Sequence, residues 1–231
     1  MPRPPSAERP RPAPGAPVRV LMVCMGNICR SPTAHGVLTQ RVADAGLGDR
    51  IVVDSAGTHD YHVGRPPDER AQAHALRRGV NLSAQRARQL TRRDFADFDL
   101  VLVMDEANES AARALCAPDQ RPKLRRLTDF CTRHQANEVP DPYYGGDAGF
   151  EQVLDLVDDA ADGVLAAIRR AAGPPATTPL RCFDTGANAS AELAEKSGAR
   201  RPARAHARGA AQRRAGAGHG LGLERAGADP G

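Results

Sequence analysis

Residues 18–32 read VRVLMVCMGNICRSP: a nearly unbroken apolar run ending at Cys24, then a loop with Gly26 and Asn27 that closes on Arg30, Ser31 and Pro32. A short apolar run without polar alternation predicts a strand buried on both faces of a parallel sheet. Ser31 and Pro32 predict a helix start, an N-cap followed by Pro at the first helical position. Ala34, Val37, Leu38, Val42 and Ala45 then recur at helical spacing up to a stop at Gly46. A strand that passes straight into a helix brings its carboxyl end to a helix N-terminus, which is where open parallel sheets bind ligands.

Outward from this point the alternation continues. Ile51 to Ala56 predicts a second strand, 68–78 a second helix closed by Gly79, and 100–104 a third strand. Residues 106–115 predict a helix and 124–127 a weak fourth strand. Phe150, Val153, Leu154, Val157, Ala161, Val164, Leu165 and Ile168 form the amphipathic stripe of a terminal helix laid on the sheet. The expectation is one α/β domain over residues 18–173, with right-handed crossovers and helices on both faces.

The ends read differently. Residues 1–17 hold seven Pro and no large apolar side chain between Met1 and Val18, so a disordered Pro/Arg-rich leader is expected. Residues 174–231, dominated by Ala, Gly, Arg and Pro, predict a disordered tail. The net charge of +4 originates in these ends and leaves 18–173 mildly acidic. Nucleic acid is therefore a disfavoured partner, and the tail lacks the interleaved aromatics and dense charge block of a nucleic-acid arm. No run approaches the roughly 20 apolar residues of a membrane helix, and no secretory leader is present, so a soluble, cytoplasmic protein without membrane contact is expected. Cys24, Cys29, Cys116, Cys131 and Cys182 are odd in number and widely spread, which disfavours a disulfide framework and a zinc site. The seven His show no ligand spacing, and neither a metal nor a cofactor is expected.

The loop Cys24-Met25-Gly26-Asn27-Ile28-Cys29-Arg30-Ser31 is long enough to curl so that successive N–H groups point inward as an anion nest. Gly26 and Asn27 are the residue types that most readily accept left-handed backbone angles. Cys24 at the base of such a nest, facing inward amides, a helix N-terminus and Arg30, is expected to favour thiolate and to act as a nucleophile. The planar fork of Arg30 suits two phosphate oxygens at once. Ser31 is expected both to cap the helix and to donate a hydrogen bond to the sulfur. A buried structural Cys at a strand end is the competing reading, and it leaves the Gly, Asn, Arg and Ser in register unexplained. Read locally, Asp141 before Pro142 is a turn residue, Cys29 a small buried apolar side chain, and Tyr61 and Tyr143 half-buried surface aromatics.

The octapeptide resembles the C-x-G-N-x-C-R-S signature of the low-molecular-weight protein tyrosine phosphatases. Asp54 to Thr58, Val63 to Arg70, Ala87 to Leu90, Met104 to Glu106 and Asp141 to Tyr144 resemble further segments of that family in the same order. The resemblance spans roughly residues 18–172. It implies a three-layer fold with a four-stranded parallel sheet, no metal, and hydrolysis of phosphotyrosine through a phosphocysteine on Cys24. Asp141 would protonate the leaving phenolic oxygen and then activate the hydrolytic water. Met25, Gly26, Asn27, Ile28, Cys29 and Ser31 would surround the phosphate, and Tyr61 and Tyr143 would wall a slot deep enough for phosphotyrosine. Asn27 and Ser55 would buttress the loop, with Gln85 standing where many relatives carry a His of that buttress. Cys29 would form a reversible, protective disulfide with Cys24. The implied partners are phosphotyrosine-containing proteins, with a tyrosine kinase as a further candidate.

Two rival functions stay open at this point. An arsenate reductase on the same scaffold needs two further cysteines close together, whereas Cys116 and Cys131 are far apart. A non-catalytic phosphotyrosine-binding module would be suspected if Cys24, Arg30 or Asp141 were replaced, and all three are present. Glycine-loop nucleotide binding is disfavoured, because neither GxxxxGK[ST] nor GxGxxG occurs.

Overall fold

A computed structural model of the protein describes residues 16–172. Residues 1–15 of the expected leader and the whole of the expected tail, 174–231, lie outside the described residues. Four strands, β1 (Val18–Cys24), β2 (Ile51–Gly57), β3 (Leu100–Val103) and β4 (Leu124–Arg126), form one sheet in the order β2-β1-β3-β4. All pairings are parallel, Val18 opposite Ile51 through Cys24 opposite Gly57, and Val20 opposite Leu100 through Val23 opposite Val103. Five α-helices accompany them: α1 (Arg30–Asp44), α2 (Glu69–Arg77), α3 (Asp94–Asp97), α4 (Glu106–Leu115) and α5 (Asp147–Ala171).

Period-two alternation along β1 explains its unbroken apolar run. Val20, Met22 and Cys24 face a core layer built with Val37 and Leu38 of α1 and Val153, Leu154 and Val157 of α5. Leu21 and Val23 face the opposite layer with Phe95, Phe98 and Ala112, from α3, its C-cap and α4. Because the chain leaves β1 to one side for β2 and crosses to the other for β3, the strand order reverses at β1. The carboxyl ends of β1 and β3 therefore border the crevice where such sheets bind ligands. Cys24 ends β1, and Asp105 follows β3 by two residues.

Several expected boundaries shift. Helix α1 begins at Arg30, with Cys29 in the N-cap position and no side-chain cap, so Ser31 does not cap the helix. Its hydroxyl is directed into the loop, and the first-turn amides are left for an anion. Helix α2 starts after Asp68, whose carboxylate accepts from Arg70 N. Strand β3 ends at Val103 rather than 104, and β4 is three residues long between 3-10 turns at Pro118–Lys123 and Leu127–Phe130. Cys116 packs in the layer of Leu21 and Val23, whereas Cys131 packs against the other layer, so these two thiols lie on opposite sides of the sheet.

Candidate active site

The loop from Cys24 to Arg30 is tied down through its carbonyls. Cys24 O and Met25 O accept from Thr58 N and His59 N, Ile28 O from Asp68 N, and Cys29 O from Thr33 N. The C=O and N–H of one planar peptide unit point in opposite directions, so the N–H groups of Met25, Gly26, Cys29 and Arg30 turn away from these anchors. Asn27, at φ 55°, is the one non-glycine residue with positive φ among the described residues. That kink brings its N–H to within 3.3 Å of Cys24 Sγ. Gly57 makes the close approach possible: a Cβ there would stand 2.7 Å from Met25 O.

Side chains lock the loop from behind. Asn27 Nδ2 donates to Ser31 Oγ and to Ser55 Oγ, both at 2.9 Å, and Asn27 Oδ1 accepts from Arg88 N at 2.9 Å. Ser31 Oγ lies 3.1 Å from Cys24 Sγ and 3.3 Å from Ala56 O, so its single proton chooses between sulfur and carbonyl. Asn27 N thus donates to the Cys24 sulfur, and the Ser31 hydroxyl is within reach of it.

Arg30 is buried, and carboxylates fix its orientation. Nη1 reaches Asp105 Oδ2 and, at 3.2 Å, Val139 O; Nη2 donates to Asp141 Oδ2 at 2.7 Å. Burial works against the charge, but Cys24, Asp105 and Asp141 together hold the guanidinium above its ordinary value. Val139 N donates to Met104 O at 2.8 Å, and this bond docks the segment bearing Asp141 at the end of β3. Asp141 also accepts from Tyr143 N in a local turn, which turns Tyr143 toward the loop. The guanidinium of Arg70 stands over the rings of Tyr143 and Phe150, at 5.6 and 4.9 Å, and supports that wall from α2.

The result is a cavity of about 330 Å³ floored by Cys24, Met25, Gly26, Ile28, Cys29 and Arg30 and rimmed by Tyr61, His62, Asp141, Tyr143 and Tyr144. Asn27, Ser31 and Ser55 stand behind it. Cys29 packs among Ile28, Ala71 and Phe150. Burial, and then the neighbouring Asp68, push its thiol up, so Cys29 stays protonated at neutral pH. Asp105, which orients Arg30, and His62, against which a Cβ at Gly26 would close to 2.8 Å, are residues that sequence reasoning misses. Asp105 had a usable signal, an Asp at a helix N-terminus just past the strand beside β1.

Among the described residues no group of His, Cys, Asp and Glu could hold a metal ion, and no helix is long and apolar enough to cross a membrane. A thiol under the loop amides, a fork-shaped cation and a carboxylate on the rim are groups that suit displacement at a tetrahedral phosphorus. The family model described as low molecular weight phosphotyrosine protein phosphatase matches residues 19–173. The chain belongs to this family.

Among individual relatives, a low molecular weight protein-tyrosine-phosphatase of Streptomyces coelicolor is 44% identical over 155 residues, covering 65% of this chain and 93% of its own. The Bacillus subtilis phosphatase YfkJ is 37% identical over 153 residues, 66% of this chain and 97% of its own. A crystal structure of the Entamoeba histolytica protein tyrosine phosphatase, with Hepes in its active site, aligns at a TM-score of 0.65 and 35% identity over 67% of this chain and 98% of that one. This phosphatase is thus a phosphoric monoester hydrolase on the fold its sequence implies.

Proposed function

We propose that the enzyme hydrolyses phosphotyrosine in cytoplasmic proteins, a tyrosine kinase being one candidate, through a phosphocysteine on Cys24. The observation that carries this reading is Cys24 Sγ under the loop amides, with Arg30 and Asp141 across the same cavity. The phosphate of the substrate competes with Asp141 for Arg30 Nη2, and the Nε–Nη2 edge becomes the fork for two of its oxygens. Sγ attacks phosphorus, the P–O bond to the phenol breaks, and Asp141 delivers its proton to the departing oxygen. In the second step Asp141 takes a proton from water, whose oxygen attacks phosphorus as the P–S bond breaks, releasing phosphate and the Cys24 thiolate, and the Ser31 hydroxyl stabilises the departing sulfur. Tyr143 and His62 form a wall that favours the long phenyl ring over the shorter serine side chain, while Tyr61, 70% exposed rather than half-buried, and Tyr144 stand more open at the rim. The opposite placement of Cys116 and Cys131 gives no support to an arsenate-reducing relay.

The test is Cys24→Ser. It abolishes phosphotyrosine turnover while vanadate binding persists, because the nest and Arg30 remain. Turnover near wild type removes Cys24 from the mechanism. Cys29 is assigned a protective role in the same scheme: peroxide oxidises Cys24 to the sulfenic acid, the Cys29 thiol displaces water, and a thiol reductant restores both. Recovery by thiol after peroxide is expected to fall sharply in Cys29→Ala, and equal recovery in both proteins rules the disulfide out.

A further inference from the structure

Gln85, the residue at the expected buttress position, does not brace the loop. Its Nε2 donates to Pro32 O at 3.0 Å, and its buried Oε1 has no hydrogen-bond partner among the described residues. The brace comes from α1 instead. His35, one turn beyond Ser31, holds Nδ1 at 3.4 Å from Ser55 Oγ.

Proton counting gives this contact a direction. Ser55 Oγ accepts from Asn27 Nδ2 at 2.9 Å, and among the described residues His35 Nδ1 is the other side-chain group bonded to it. A hydroxyl has one proton to give and two lone pairs; with no other acceptor bonded to Ser55 Oγ among the described residues, the arrangement that uses its proton sends it to Nδ1 of an imidazole protonated on Nε2. The second proton of Asn27 Nδ2 goes to Ser31 Oγ at 2.9 Å, which leaves the one Ser31 proton for Cys24 Sγ at 3.1 Å, the nearer of its two acceptors, or for Ala56 O at 3.3 Å. We propose that His35 is a positioning residue of the active site: its neutral imidazole takes the Ser55 proton, fixes Ser55 Oγ as an acceptor for Asn27, and through Asn27 aims the Ser31 hydroxyl at the Cys24 sulfur. This assignment rests on Cys24 being the nucleophile.

The surroundings keep the imidazole neutral. Burial holds His35 below its ordinary value of 6.5, Asp54 of β2 draws it back up, and Arg88 pushes it further down. Asp54 and Asp94 in turn pair with Arg88, at 2.9 and 3.0 Å. The Nδ1 lone pair is therefore present at neutral pH and is lost as pH falls through the lowered value.

Two variants test the assignment. His35→Asn retains an acceptor oxygen near the place of Nδ1, whereas His35→Leu retains bulk alone. His35→Leu is expected to lower kcat on an aryl phosphate about tenfold with a much smaller change in KM. His35→Asn is expected to stay within about threefold of wild type and to lose the part of the acid limb of kcat that belongs to His35. Equal kcat in all three proteins, or an Asn variant as impaired as the Leu variant, overturns the assignment. Should His35→Leu fail to fold, the acid limb decides, and an unchanged limb in His35→Asn overturns it equally. Wild type and Cys24→Ser are measured alongside, so failure of the phosphatase reading shows as an inactive wild type rather than as three equal activities.

Discussion

Asp141 meets the guanidinium of Arg30 on one side and the cavity on the other, with 43% of its side chain exposed. In the proposed role of acid, its value would grow with the basicity of the oxygen it protonates, because tyrosine, with a pKa of about 10, departs poorly as the anion. Asp141→Ala is expected to slow the phosphorylation step on phosphotyrosine by on the order of 100-fold and on a nitrophenyl phosphate distinctly less. Burst kinetics isolate that step, and an equal loss on both substrates reduces Asp141 to a loop-shaping role. Cys24, Arg30 and Ser31 are legible in sequence because they share one octapeptide. Asp105 carries a sign of its own as the Asp that heads α4, but not of its partner Arg30, 75 positions away, and His35 meets Ser55 only once α1 has packed on β2. A lone His on a helix carries no local sign of that contact.

Helix α5 links the scaffold to Asp141. Its apolar stripe is legible from the 3.6-residue period, and Phe150, Val153, Leu154, Val157, Ala161, Val164 and Leu165 are all buried. Asp159, inside that stripe, looks like an error of pattern until its partners are seen. Its fully buried carboxylate accepts from the N–H groups of Thr132, Arg133 and His134 and so pins the segment that leads to Asp141. One turn on, Gly163 lets α5 close on the turn at Leu127–Phe130: a Cβ there would stand 1.9 Å from Phe130 O. Gly163→Ala gains about 1 kcal/mol of helix propensity, but the obstacle is backbone, and overpacking costs about 1–3 kcal/mol or more. A lowered urea midpoint and reduced activity are expected. Gly48→Ala, at a site with nothing within 4 Å, serves as the neutral control. An unchanged midpoint in Gly163→Ala means that α5 can shift without cost.

At the scale of the whole molecule, carboxylates with donors close by tie the helical layer to the loops, and they set how stability responds to acid. Glu151 of α5 accepts from the ring of His74 on α2 and from Arg78, and these bonds hold its carboxyl at about 2 against an ordinary value of 4.5. For Asp159, burial works to raise the value, yet the three backbone N–H groups and His134 hold it well below the carboxylate range. Asp68 and Glu109 are lowered in the same sense, Asp68 by Arg70 against burial and Glu109 by Arg126 and Arg113. A carboxyl depressed in the folded state binds its proton more readily when unfolded, so its contribution is complete above the unfolded value and disappears as pH falls toward the folded one. Stability is therefore expected to slip modestly between pH 7 and 5, where the unfolded chain protonates His35 before the folded one does, and to fall steadily from about pH 5 toward pH 2 as the carboxyls titrate. Urea midpoints at intervals across that range measure it. In Asp159→Asn the midpoint starts lower at pH 7, since the Asn side chain offers one acceptor where the carboxylate has two, and its decline toward pH 2 is shallower. A wild-type midpoint that is level from pH 7 to 3, or an Asp159→Asn decline as steep as that of wild type, shows that these carboxylates do not couple proton binding to folding.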